Sequence, residues 1–271
     1  MRFKWILTAT LMASPALAAC STVQTTSAGT VGVERKQQML VSSEQINEAA
    51  EQAYAQELAK ARDAGTLNTN ARQVERVRGI ARRLIPQTRV FRDDAPAWHW
   101  DVNVQSTKEL NAYCMPGGKI MVYTGLIEQL DLSDDELAAV VGHEIAHALR
   151  EHSRERASRA YAQQLALAGA AAVAGVGPGT LDLANMVATV TFQLPHSREQ
   201  EAEADRIGLE LMARAAYDPH AAVEVWRKME KAGSGGTLEF LSTHPSGKSR
   251  IADLEALLPR VQPLYVAARG R

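Results

Sequence analysis

His143 and His147 stand four residues apart with a carboxylate, Glu144, directly after the first, in the run His143-Glu144-Ile145-Ala146-His147. Helix positions four apart lie one turn above each other on one face, so the two imidazoles converge on a point that a divalent cation can occupy. Glu144 is beside a ligand in sequence without being one, and its carboxylate can reach a water at that point. Zinc suits this pattern: it lowers the pKa of bound water to about 7 and polarises a carbonyl, while the carboxylate takes the proton as hydroxide attacks. The chemistry implied is metal-assisted hydrolysis.

A catalytic zinc needs three protein ligands and one open position. No third His follows at short spacing. His152 is nine residues beyond His143, turned to the opposite helix face, and is expected as a solvent-exposed residue at the helix end. The other candidate stretch is Ser197-Arg198-Glu199-Gln200-Glu201-Ala202-Glu203-Ala204-Asp205. Glu201 and Asp205 share a helical face, so Glu201 can bind the metal while Asp205 accepts the free N–H of a ligand His. Glu199 and Glu203 then point elsewhere, into solvent. An ordinary exposed acidic helix fits the same spacing equally well, and the residues alone leave the third ligand open.

Several elements must position these groups. Ser133 with Glu136 is a capping-box pattern that opens a helix through about Glu151. Its apolar neighbours Val140, Val141, Ile145 and Ala146 mark it as packed, and Gly142 leaves space beside the metal. Upstream, apolar residues at helical spacing predict helices from Ser43 to Gly65 and from about Asn70 to Pro86. Trp98, Trp100, Val102 and Val104 alternate with polar residues as in a half-buried strand, and Lys119–Tyr123 follows a Pro116-Gly117-Gly118 turn as a second strand. Ala-rich segments at 158–175 and 181–193, broken at Gly177-Pro178-Gly179, predict a helical hairpin, with further helices at about 197–215, 219–231 and 247–258.

The whole chain has 271 residues, 46% apolar and 23% charged, with a net charge of −1. This is the make-up of a folded domain with a proper core. Without a basic stripe or aromatic-basic interleaving, no nucleic-acid partner is expected. Aromatics are only 5%, in keeping with a mainly helical chain.

The N-terminus begins Met1-Arg2-Phe3-Lys4, a short positive region, followed by an apolar run from Trp5 to Ala19 that is too short for a comfortable permanent span. It ends Leu17-Ala18-Ala19-Cys20, which resembles the lipobox of bacterial lipoproteins. That resemblance implies a signal peptide over 1–19, lipidation of Cys20, and, with uncharged Ser21 next, sorting to the periplasmic face of the outer membrane. Several acyl chains anchor stably where one would not. Residues 20–42, small and polar at first, are then expected as a lipidated N-terminus and flexible tether. The catalytic domain would span 43–262, and 263–271 would be a C-terminal tail. With Cys20 lipidated, Cys114 is the only other thiol, so no internal disulfide forms; it is expected as a half-buried strand residue.

These motifs together resemble the membrane-associated zinc peptidases that include the CAAX prenyl protease, HtpX and the Oma-type mitochondrial proteases, with periplasmic BepA-, YcaL- and LoiP-like lipoproteins most similar. That family combines HExxH with a downstream Ser-Arg-x-x-Glu-x-x-Ala-Asp helix, here Ser197 to Asp205. The likeness covers about residues 70–255 and includes Asn111-Ala112, Pro116-Gly117-Gly118, Thr124-Gly125-Leu126 and Thr243-His244-Pro245. It implies an α+β, zincin-like fold of the gluzincin type, one Zn²⁺ per chain, and Glu201 as third ligand. It further implies that Asn111 and Ala112 begin an edge strand that binds an extended peptide. His244 would be a regulatory ligand able to block the open position, and Arg250 would stabilise the tetrahedral intermediate. The implied role is endopeptidase quality control of unfolded or misassembled envelope proteins. A lipid-anchored chaperone using the same groove without cleavage is the alternative, although binding alone has no need of Glu144. A purely structural zinc domain would be closed and Cys-rich.

Overall fold

Ser133 opens the helix that carries the paired histidines. Its hydroxyl accepts from the Glu136 amide at 3.2 Å while the Glu136 carboxylate accepts from the Ser133 amide at 2.8 Å, so two amides that a helix start leaves orphaned are satisfied together. Three acidic residues in the first turn, Asp134, Asp135 and Glu136, suit the positive end of the helix dipole. Every residue from Glu136 to Leu149 is buried. A helix covered on all sides is a core element, and the rest of the fold is arranged around it.

The computed structural model describes residues 21–173, 182–233, 239–245 and 247–270. A short hairpin of β1 (Ser21–Val23) and β2 (Gln37–Met39) leads into α1 (Ser43–Asp63) and α2 (Ala71–Leu84). Three strands follow, β3 (Asp101–Gln105), β4 (Ala112–Met115) and β5 (Lys119–Tyr123). Next come α3 (Thr124–Gln129), the central α4 (Asp134–Leu149), α5 (His152–Val173) and α6 (Leu183–Phe192). The chain continues through α7 (Arg198–Arg214), α8 (His220–Gly233), α9 (Glu239–Thr243) and α10 (Lys248–Arg269). This is the α+β, zincin-like architecture: helices around a small mixed sheet. No helix among the described residues is long and apolar enough to cross a membrane.

The sheet order is β3-β5-β4, parallel between β3 and β5 and antiparallel between β5 and β4. Gly117 and Gly118, at φ +76° and +85°, make the turn between β4 and β5 in a region that side chains with a Cβ rarely enter. β4 is therefore an edge strand, and it packs against α4. On the other side α4 crosses α7 at two facing glycines. A Cβ on Gly208 would fall 2.8 Å from the His143 amide nitrogen, and one on Gly142 would fall 3.2 Å from the Gly208 carbonyl oxygen. The space expected beside the metal at Gly142 is in fact the contact that lets two helix backbones meet.

Four expectations need correction. Residues 21–42 do not hang free: Val31 and Val33 are in the main core, Ser27 donates its amide to Phe91 O at 2.9 Å, and Gln37 is fully buried. Small polar residues without a helical stripe are compatible with a tether, but here they turn at 28–33 and pack on the domain, hiding two valines. At the other end α10 continues to Arg269 through Pro259 and Pro263, so 263–269 is helix rather than tail; Leu254, Leu257 and Val261 bury one face. Trp98 and Trp100 precede β3 and stack on each other, their indole nitrogens held by Asp94 and the Ala95 carbonyl. Cys114 is buried within β4 rather than half-exposed. Cys20 and the signal segment 1–19 lie outside the described residues, as does the hairpin turn at Gly177-Pro178-Gly179.

Candidate metal and catalytic centre

α4 presents His143 and His147, one turn apart, to α7. Ser197 caps α7 in a second capping box with Gln200, which fixes where its first turns begin. The glycine crossing then brings Glu201, two turns before Gly208, level with the imidazoles. One donor atom from each of His143, His147, Glu201 and His244 lies within 4.8 Å of all the others, and all four residues are buried. His143 Nε2 is 3.0 Å from His147 Nε2 and 3.4 Å from His244 Nδ1. Glu201 Oε1 is 3.4 Å from His147 Nε2 and 3.1 Å from His244 Nδ1, and Oε2 is 3.6 Å from His143 Nε2. Tetrahedral zinc with bonds of about 2.0–2.1 Å spaces its ligand atoms about 3.3 Å apart. The cage has the size and the imidazole–carboxylate chemistry that zinc takes.

Each ligand is held from behind. His143 Nδ1 lies 2.9 Å from Asp205 Oδ1, one turn past Glu201 on the same face. His147 Nδ1 lies 2.8 Å from His152 Nδ1, and His152 Nε2 lies 3.0 Å from Glu203 Oε2. The chain of contacts is satisfied when His147 donates to His152 and His152 donates to Glu203. His152 is thus no exposed helix-end residue, and Glu203 is not solvated; both are buried. A left-handed Glu151, φ +51°, ends one helix and lets α5 start in a new direction, which turns His152 back under His147. Helical spacing across that break could not have placed it. Glu203 is also met by Arg150 at 3.0 Å and by Arg35 from the N-terminal arm at 2.8 Å. Arg35 forks onto Glu155 as well.

Burial pushes the Glu203 carboxyl up, but hydrogen bonds from His152 and Arg35 outweigh it and hold the group down at about 2. Glu155 is likewise held at about 2 against burial, by Arg35, Gln200 and Gln37. Depressed carboxylates contribute fully above the unfolded carboxylate pKa of roughly 4.3, and their contribution is lost as pH falls toward about 2. Replacing His152 by Phe, which keeps a ring of similar bulk, should leave the fold intact and weaken zinc binding by about 10- to 100-fold in a competitive chelator titration. An unchanged affinity would show that His147 needs no support from behind.

Glu144 is buried with Oε1 lacking a hydrogen-bond partner among the described residues, 3.5 Å from His244 Nε2. Burial raises its pKa above the ordinary carboxylate value, opposed by the neighbouring His244 and His143. A base that must collect and return a proton near neutrality benefits from such a rise. Zinc bound in the cage supplies Lewis acidity toward a carbonyl and acidifies water. Glu144 is placed so that it could take the proton of an attacking water and return it to a departing amine.

Ala112 begins the edge strand, Asn111 stands just before it, and both line the cleft together with Glu144, His147, Arg156, His196 and His244. The cavity is about 20 Å³, room for one water and no peptide. His244 closes it: its ring stacks on Phe240 at 4.3 Å and on His196 at 4.9 Å, with Nδ1 at the fourth corner of the cage. His196 also lies 3.9 Å from the His147 ring centroid, and its amide is bonded to Thr243 O. Neither His196 nor Trp226, which meets the His143 ring edge-on, is marked in sequence by any spacing to the motif. Arg250 sits behind the cage. Its Nε and Nη2 each donate to Asp205 at 2.6 Å, and Nη1 lies 2.6 Å from Glu201 Oε2 and donates to Pro245 O at 3.1 Å. Arg250 therefore braces Asp205, Glu201 and the His244 loop.

A base-bearing helix, a third ligand from a second helix and a sheet edge beside them define a zinc metallopeptidase centre. The chain belongs to peptidase family M48, whose model matches residues 71–258. It is 42% identical over 151 residues to the mitochondrial metalloendopeptidase OMA1 of Arabidopsis thaliana, covering 56% of this chain and 30% of that protein. Against the OMA1 of Schizosaccharomyces pombe it is 38% identical over 169 residues, 60% of this chain and 48% of that one. Similarity extends at 29% identity over 167 residues to the beta-barrel assembly-enhancing protease of Escherichia coli, 58% of this chain and 34% of that protein. The chain thus spans less than half the length of these relatives.

Proposed function

We propose that this protein is a zinc-dependent endopeptidase that cleaves extended or misfolded polypeptides at the periplasmic face of the outer membrane, anchored by lipid on Cys20. The observation that carries the peptidase part is the outer edge of β4, paired with no other strand among the described residues, along the same cleft as Glu144 and the zinc cage. An extended chain added to that edge by main-chain hydrogen bonds would lay its carbonyls past the base with little demand on sequence, as suits unfolded substrates. The N-terminal positive and apolar run ending at Cys20 supports the anchor. The likeness to a beta-barrel assembly-enhancing protease supports an envelope role, in the manner of BepA-, YcaL- and LoiP-like lipoproteins. Incubation with a denatured polypeptide should give internal fragments that vanish with a chelator and return with zinc. Tight binding without fragments would favour a chaperone instead. Labelling with radioactive palmitate, lost in Cys20→Ser, tests the anchor.

The same reading makes His244 a latch on the fourth position. His244→Ala should retain zinc and raise the cleavage rate by about tenfold, the factor expected if the latched site is open one-tenth of the time. Loss of zinc in that variant would make His244 a permanent ligand.

A further inference from the structure

Two buried arginines flank the zinc cage, and their circumstances differ. Arg250 is saturated: Asp205 takes two of its nitrogens, Glu201 and Pro245 O take the third, and the guanidinium lies 3.7 Å over the Trp226 ring. It does not line the cleft. Arg156, on the first turns of α5, does line it, together with Glu144 and the edge strand. Its Nη1 donates to Leu194 O at 2.7 Å, and its buried Nε has no partner among the described residues. No carboxylate among the described residues forms an ion pair with it. Burial pushes its pKa down to about 10 against the more distant pull of Glu201, Glu144 and Glu155, while Arg250, in direct contact with Asp205 and Glu201, is raised despite burial. A buried cation with unspent donors is costly unless something negative arrives to meet it.

We infer that Arg156 is a catalytic residue: it donates an N–H to the oxyanion that forms when water attacks the scissile carbonyl. This rests on the peptidase reading above and adds a residue to it. In the step, the water oxygen bonds to the carbonyl carbon and the carbonyl π pair moves onto oxygen, where Arg156 meets the charge. Glu144 holds the water's proton. Collapse re-forms the C=O bond and expels the amine, which takes that proton from Glu144. A fixed donor in a buried cleft acts where charge develops and needs no reorganisation at that moment. Arg250, which the family resemblance put in this role, has its donors committed to Asp205, Glu201 and Pro245.

The test uses the full chain, loaded with zinc, and a fluorogenic peptide amidated at its C-terminus. Arg156→Ala should lower kcat by about 10²- to 10³-fold with KM changed less than about threefold, and Arg156→Lys should recover part of the loss. Zinc stoichiometry should not change. A phosphinic peptide, whose tetrahedral anionic centre imitates the intermediate, should lose affinity by a factor comparable to the loss in kcat, while a non-hydrolysed product peptide should bind as before. An effect confined to KM, equal weakening of both probes, or zinc loss in both variants would overturn the assignment by making Arg156 part of the substrate groove or the scaffold. So would an effect seen only with a free C-terminus, which would mark a carboxylate pocket. Failure of the wild type to cleave anything would count against the peptidase reading; cleavage indifferent to Arg156 counts against this inference alone.

Discussion

Glu144→Gln is expected to bind zinc as the wild type does and to cleave denatured polypeptides at least 10²- to 10⁴-fold more slowly, the span that general acid–base groups contribute. The amide keeps the size of the carboxylate and cannot hold a proton in transit. The donor atoms of the cage belong to His143, His147, Glu201 and His244, so metal content should not fall. Retained zinc with lost turnover would separate the base from the cage. Equal turnover in the variant would remove Glu144 from the chemistry altogether.

The second large effect is expected from a residue that touches no metal. Gly208→Ala would thrust a methyl to 2.8 Å from the His143 amide nitrogen and 3.0 Å from the Gly142 carbonyl carbon. Both are backbone atoms with nowhere to retreat, so α7 must lift from α4. Overpacking of this kind costs about 1–3 kcal/mol of stability. The functional loss should be larger, because Glu201 travels with α7 while the imidazoles stay on α4. A displacement near 1 Å can cost about 10²-fold in rate. Zinc titration should show weaker binding in Gly208→Ala than in Gly142→Ala, where the added methyl meets one carbonyl oxygen at 3.2 Å. Wild-type zinc affinity in Gly208→Ala would mean that the helix crossing does not set the cage.

What was legible in the sequence follows from how local each signal is. The capping box at Ser133 and Glu136 and the turn at Pro116-Gly117-Gly118 are written within a few residues, and the elements they predict are where the structure has them. The face shared by Glu201 and Asp205 is a matter of one helical turn, although choosing Glu201 over an ordinary acidic helix needed the family resemblance. The contact of His152 with Glu203 is not legible because the break at Glu151 redirects the chain, and no periodicity survives a change of axis. The packing of the N-terminal arm escapes the sequence for a related reason. Thr25, Arg35 and Gln37 find their partners at the C-cap of α4 and on α5 and α7, more than a hundred residues away, and a composition window cannot register such pairings. His196 and Trp226 reach the cage through tertiary packing alone.

The arm also bears on reach. Ser21 is already paired with Met39 in a strand, so a membrane attached at Cys20 would have one residue of slack, about 3.5 Å of chain. The enzyme would skim the bilayer instead of swinging above it on a leash. Its catch would be limited to polypeptides lingering within a few ångströms of the lipid surface. Lengthening the link between Cys20 and Ser21 with flexible residues should widen that shell and loosen the choice of victims.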